Sequence, residues 1–347
     1  MSDIDNEAIS ICSRAVKKYD FERAWKYYET NYDILVGQNT NFDHEEYLGN
    51  CEKKVCRFCG RDESKVSFDD KPHVFPICTG NINLLSYYEC DECNHFFGDR
   101  LEGEYQNYFS FVHNLYMVEG RKGKIPLVQS NDNFSKIKVV KKENDEKIHL
   151  INDIVDNEHV KLENNSIILS SPKTTIIPIA IYKCLTKMAL SIMPEKELPR
   201  FQETLDWIKQ RKHESIMNKK HMCRYLEFRS SPYIKYPMGF LFKRKQNSKD
   251  GPYMIFLYVY AKMAIMIEVP CVSMPYAYDI RKVLPLVFGI PIEDIIIDLS
   301  GINKCLVEAW ERRFQYGYIN DLTEEARNPN TENEYAKLIR KNITTLK

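Results

Sequence analysis

The chain carries no net charge: 49 lysines and arginines stand against 49 aspartates and glutamates, so no global field draws it to a polyanion. Any nucleic-acid site has to be local. It also lacks a secretory signal, because residues 1–7 are acidic and supply neither a basic n-region nor an apolar h-region; a cytoplasmic location is expected. An uninterrupted membrane-length apolar run is missing too. The longest candidate, 253–269, is broken by Lys262 and Glu268 and alternates with aromatics in the manner of a sheet, so no membrane partner is expected. Internal repeats and low-complexity segments are not evident. With 44% hydrophobic and 28% charged residues, the composition is not that of a disordered chain. At 347 residues the chain exceeds the usual ~150 of one domain and can bury a core without covalent staples.

Eleven cysteines, an odd number in a chain without a signal, argue against a disulfide framework. Seven are scattered and read as buried thiols. The other four, Cys56, Cys59, Cys90 and Cys93, form two CxxC pairs with 30 residues between them. Each two-residue spacer lets a pair chelate from one tight turn. Four soft thiolates leave no open coordination position, so the expected metal is a structural Zn²⁺.

Residues 6–35 carry apolar and aromatic side chains among charges at a spacing that suits one or two amphipathic helices, which predicts a helical extension over 1–50. A compact metal-clipped domain is expected over 51–110. The remainder, 120–347, reads as a larger α+β domain with antiparallel strands and no legible chemistry. Short strands are predicted at 136–140, 147–151 and 166–169, and helices at 178–193 and 197–212, the first opened by Pro178. Strands follow at 225–229, 238–243, 253–260 and 263–269, then helices near 278–287 and 303–315. Phe256, Tyr258 and Tyr260, two apart on a strand, read as one core-facing side of a sheet rather than a stacking platform. Glu293, Asp294 and Asp298 lack a following Glu-x-Lys and read as a buried strand ending at a turn.

Between the CxxC pairs lie Asp69-Asp70-Lys71-Pro72-His73-Val74-Phe75-Pro76, Gly80-Asn81 and Asn83; directly after Cys93 come Asn94 and His95. Taken together, residues 56–102 resemble the HNH endonuclease family, in particular the cysteine-clipped branch with the pattern His-x-x-Pro, Gly-Asn, Glu-Cys-x-x-Cys-Asn-x-x-Phe. The likeness covers about 50 residues of 347. It implies a zinc-stabilised ββα-metal finger that hydrolyses DNA phosphodiester bonds, RNA being the other polymer left open, in a setting such as restriction or antiphage defence.

The chemistry agrees with the residue types. A neutral imidazole, with a reference pKa of about 6.5, can take a proton from water at cell pH, so His73 is the candidate general base. A hard divalent cation, Mg²⁺ or Mn²⁺, would neutralise the scissile phosphate. The resemblance puts a ligand to that cation at Asn94, with His95 as the substitute, and gives Asn81, or else Asn83, the task of orienting the base and supporting the loop between two strands. Many family members carry an acidic or histidine ligand just before the base, where this chain has Pro72. That ligand falls instead to Asp70, Asp69, Glu102 or water.

Phosphate contacts need a basic surface. Residues 209–249, including Lys219, Lys220 and Arg224, hold the densest excess, and Arg121, Lys122 and Lys124 follow the clipped segment closely. Both could equally be solvated faces. A second copy of the chain, for cutting both strands, or a partner from a defence system are the expected protein partners. The competing reading is a zinc-organised nucleic-acid or protein-binding module without catalysis.

Overall fold

The computed structural model describes residues 11–15, 21–120, 166–228, 233–274, 291–307 and 310–315, with short stretches between 123 and 163 and four positions between 280 and 286. In chain order the elements are β1 (Ile11–Ala15), α1 (Phe21–Asn31), β2 (Tyr32–Asn39), β3 (Glu46–Leu48), β4 (Leu84–Ser86), α2 (Asp91–Phe97) and α3 (Gly103–Leu115). Six short strands come next: β5 (Val128–Gln129), β6 (Lys136–Lys141), β7 (Ile148–Asn152), β8 (Val160–Glu163), β9 (Ser166–Ser170) and β10 (Thr174–Ile176). Helices α4 (Pro178–Ser191) and α5 (Gln202–Ile208) precede β11 (Met222–Phe228), β12 (Ile234–Arg244), β13 (Met254–Ala261), β14 (Met263–Glu268), β15 (Pro291–Asp298), β16 (Cys305–Val307) and β17 (Glu311–Gln315). The protein is thus mixed α+β with antiparallel sheets.

Two compact units emerge. One comprises Met1–Gln106 with Ile176–Cys305, the other Asn107–Thr175 with Leu306–Lys347. The sequence boundaries at 50, 110 and 120 do not coincide with these units: the four-cysteine segment and strands β11 to β15 belong to one of them.

That first unit is built on a seven-stranded sheet in the order β1-β15-β11-β14-β13-β12-β2, antiparallel at every pairing. Strands β13 and β14 are buried along their whole length, which explains their continuous apolar runs: both faces are covered. Ile255, Leu257 and Val259 join Tyr28, Tyr32, Phe242 and Met266 on one face. Phe256, Tyr258 and Tyr260 alternate to the other, all fully buried, as their period of two predicted.

The helical reading of 6–35 holds only for α1. Ile11–Ala15 pairs with β15 and Tyr32–Asn39 with β12, so strands flank the helix and close both edges of the sheet. Pairing with strands far along the chain outweighs the local helical period. The same correction applies at 303–315, where β16 and β17 replace the expected helix. The helix expected over 197–212 is shorter, a 3₁₀ turn at Leu198–Phe201 leading into α5. Most of the expected helix at 278–287 lies outside the described residues. In the second unit, β9 lies between β8 and β17, and Ser171 and Trp310 exchange hydrogen bonds: the amide of each donates, to the Trp310 carbonyl and the Ser171 hydroxyl respectively.

Helix α4 has Pro178 at its start, and every one of its residues is buried, including Lys183 and Lys187. A helix covered all round belongs to the middle of a core. Among the described residues no helix is long and apolar enough to cross a membrane.

Candidate functional site

The first CxxC pair sits in a knuckle. The Cys56 amide donates to the Arg61 carbonyl at 2.9 Å and the Gly60 amide to the Cys56 carbonyl at 2.7 Å. Gly60 takes φ 71°, a left-handed conformation that a side chain would oppose. The second pair spans the start of α2, with Cys90 at its N-cap. All four sulfurs lie within 4.8 Å of one another, and Cys59 Sγ and Cys90 Sγ are 3.7 Å apart. Such crowding disturbs the thiols: hydrogen bonding with Cys56 and Cys93 pulls Cys90 down, while the same kind of neighbours push Cys93 up. Sulfurs this close compete for protons, and the cluster can hold a metal ion such as zinc. Arg61 closes one side, its Nε donating to Cys59 Sγ at 3.3 Å while a guanidinium nitrogen meets Glu92 at 2.6 Å.

Between the pairs the chain doubles back. Residues 72–74 pair antiparallel with 84–86 through the His73–Leu85 bridge, the Val74 amide to the Leu84 carbonyl (3.1 Å) and the Ser86 amide to the Pro72 carbonyl (3.0 Å). Leu84–Ser86 also pairs in parallel with β3 on its other side. Extended pairing alternates side chains, so Val74 is fully buried while His73 is half-buried. Asn81 braces the connecting loop from inside: its Nδ2 donates to the carbonyls of Phe75 and Leu84, and its Oδ1 accepts from the Leu84 amide. Asn83 donates to the Phe42 carbonyl.

Helix α2 follows the pairing. Asp91 in its first turn accepts from the amides of Asp69 (3.1 Å) and Asp70 (3.0 Å), which ties that loop to the helix. Asp70 is thereby placed against both candidate ligands on α2: its Oδ2 is 3.0 Å from Asn94 Nδ2 and 3.1 Å from His95 Nε2. Asp69 contributes only its amide to these contacts. Glu45, from the loop before β3, bonds Lys71 Nζ at 2.7 Å and Tyr47; these contacts, with a smaller contribution from His73 nearby, hold its carboxyl below the usual range.

Helix α4 supports the segment from behind. Arg57, within the first CxxC, donates to the carbonyls of Leu190 (2.7 Å), Ser191 (2.8 Å) and Met193 (3.1 Å), which satisfies the carbonyls at the end of α4. Lys187 Nζ lies 3.1 Å from Glu89, 3.3 Å from Glu102 and 3.2 Å from the His73 carbonyl oxygen. Burial pushes the Glu89 carboxyl up to about 7 against the pull of Lys187. Glu102, which ends a π-turn between α2 and α3, is therefore engaged with Lys187.

Neither Arg57 nor Lys187 stands out in the sequence as a functional residue. For Lys187 the signal is two lysines, Lys183 and Lys187, four apart inside an otherwise apolar helical run.

Three of the cations expected to contact phosphate have acidic partners here. Lys219 pairs with Glu268, Lys220 with Asp298 at 2.8 Å, and Arg224 with Asp294 at 2.7 Å while also meeting the Val283 carbonyl. Lys124 is exposed, and Arg121 and Lys122 lie outside the described residues. Compared with known families, curated proteins and solved structures, the chain matches none. The functional reading therefore rests on the site itself.

Proposed function

We propose that this chain is a metal-dependent endonuclease that hydrolyses DNA phosphodiester bonds, with His73 as general base. The observation that carries the reading is the succession of local structures along one stretch of chain: an antiparallel pair bearing His73, a loop braced by Asn81, and a helix that sets Asn94 and His95 against Asp70, all within the four-cysteine clip or directly after its last cysteine. This is the arrangement expected of a ββα-metal finger. Zinc in the clip is structural, because four thiolates leave it no open position.

The Asp70 carboxylate and the Asn94 carboxamide oxygen would suit Mg²⁺ or Mn²⁺ with water completing the shell, while the imidazole of His95, the substitute ligand, suits a transition metal better. Such an ion supplies charge neutralisation at the scissile phosphate and the departing 3′ oxygen. Asp70 takes the role that Pro72 cannot. The imidazole of His73 accepts the proton of the attacking water, and Asn81 keeps the two paired segments in register behind it.

The test is cleavage of supercoiled plasmid with Mg²⁺ or Mn²⁺, beside His73→Ala and an EDTA control. Nicking or linearisation lost in both controls supports the enzyme. Intact plasmid throughout, with zinc and fold retained, favours a zinc-organised binding module, a reading to which the paired state of Lys219, Lys220 and Arg224 lends weight.

A further inference from the structure

Lys187 is fully buried, and a buried ammonium is retained only where partners compensate the lost hydration. Its partners all come from the clipped segment or its immediate continuation: Glu89, directly before Cys90; Glu102, at the end of the π-turn; and the backbone oxygen of His73. The helix that carries it is anchored at both ends. Glu104 Oε2 accepts from the Ile177 amide at its start, and Arg57 donates to the carbonyls at its finish. Lys187 Nζ is thus held from a rigid element and aimed at the backbone of one particular residue.

We propose that Lys187 is a positioning residue for the nuclease centre: from α4, outside the clipped segment, it fixes His73 by donating to its carbonyl, with Glu89 and Glu102 holding the ammonium in place. The proposal rests on the nuclease reading above. The carbonyl carbon and the imidazole-bearing carbon of His73 share one Cα, so a strand displaced at the oxygen carries the ring with it. A displacement near 1 Å is enough to cost about a hundredfold in rate. The role differs from that of Asn81, which braces the loop beyond the strand, and from that of a zinc on the four cysteines, which would clip the two ends of the segment.

Lys187→Met alone would strand the buried Glu89 carboxylate, Glu102 being only half-buried, and risks misfolding. The decisive variant is therefore Lys187→Met combined with Glu89→Gln, which removes the donor to His73 without leaving a fully buried charge and keeps Glu102, itself a candidate metal ligand, in place. It is assayed on supercoiled plasmid with Mn²⁺ beside the unmutated chain and His73→Ala, with zinc content and the thermal midpoint measured on each. The expected result is a zinc-loaded, folded variant whose kcat per zinc-bound molecule falls about ten- to a hundredfold while KM stays within about twofold. A purely structural lysine would lower the thermal midpoint or zinc content and leave kcat per zinc-bound molecule unchanged; that outcome, with His73→Ala inactive, overturns the positioning role alone. If the unmutated chain cuts nothing, or His73→Ala cuts equally well, the nuclease reading fails and the role falls with it.

Discussion

The ring of Phe75 occupies the space that a side chain on Gly239 would need: a Cβ built there would lie 2.6 Å from Phe75 Cζ and 3.1 Å from Phe256. Phe75 stands two residues after His73, and its ring also packs on Tyr258 with centroids 4.9 Å apart. A hydrogen bond of 2.6 Å between the hydroxyls of Thr79 and Tyr258 fastens the same loop to the sheet. Gly239→Ala should therefore lower stability by about 1–3 kcal/mol, the usual cost of overpacking. Combination with Phe75→Leu should recover part of that loss in thermal unfolding, because the shorter side chain vacates the contested space.

Metal content offers a direct check of the cysteine cluster. The purified chain should bind one zinc, and Cys56→Ser or Cys93→Ser should abolish binding and lower the unfolding midpoint. Cys51→Ser, which alters an exposed thiol outside the cluster, should leave zinc content unchanged. Zinc retained by both cluster variants would exclude this site.

Asn81 is fully buried and uses both ends of its amide within one loop. Asn81→Ala leaves the Phe75 carbonyl and the Leu84 backbone without that partner, and should cost about 2–3 kcal/mol in denaturant unfolding. Asn83→Ala, which removes one bond at a half-buried site, should cost less.

For cleavage, His73→Ala should reduce the rate by about a hundredfold or more, the range lost with a general base. Asp70→Asn should instead raise the Mn²⁺ concentration needed for half-maximal cutting, since it removes the one full negative charge of the Asp70, Asn94 and His95 set. An unchanged metal requirement in Asp70→Asn would remove Asp70 from that role.

Stability should decline in mild acid through His221. Burial, and to a smaller extent Lys219, lowers its pKa to about 4 from the ordinary 6.5. The unfolded chain therefore binds a proton that the folded one refuses. The contribution is fully present above pH 6.5 and is lost as pH falls from 6.5 toward 4, by about 3 kcal/mol in all. His221→Gln should flatten that part of the curve of unfolding free energy against pH.

Features that depend only on neighbours along the chain are legible in the residues. Two-residue spacers in Cys56-Cys59 and Cys90-Cys93 set chelate geometry locally, and the sulfurs converge as that spacing requires. Alternation in 253–269 marked β13 and β14, and Pro178 marked the start of α4. The remainder depends on long-range contacts. Ile11–Ala15 and Tyr32–Asn39 became edge strands because their partners are β15 and β12, far along the chain, and such pairing energy leaves no periodic trace in the segment itself. Asp70 came to face Asn94 and His95 only because Asp91 holds its loop on α2. Lys187 reads in sequence as one more lysine. Its charge acquires a role only when folding removes water from it and leaves Glu89, Glu102 and the His73 carbonyl as its partners, since an ion pair is weak in water and strong where water is excluded.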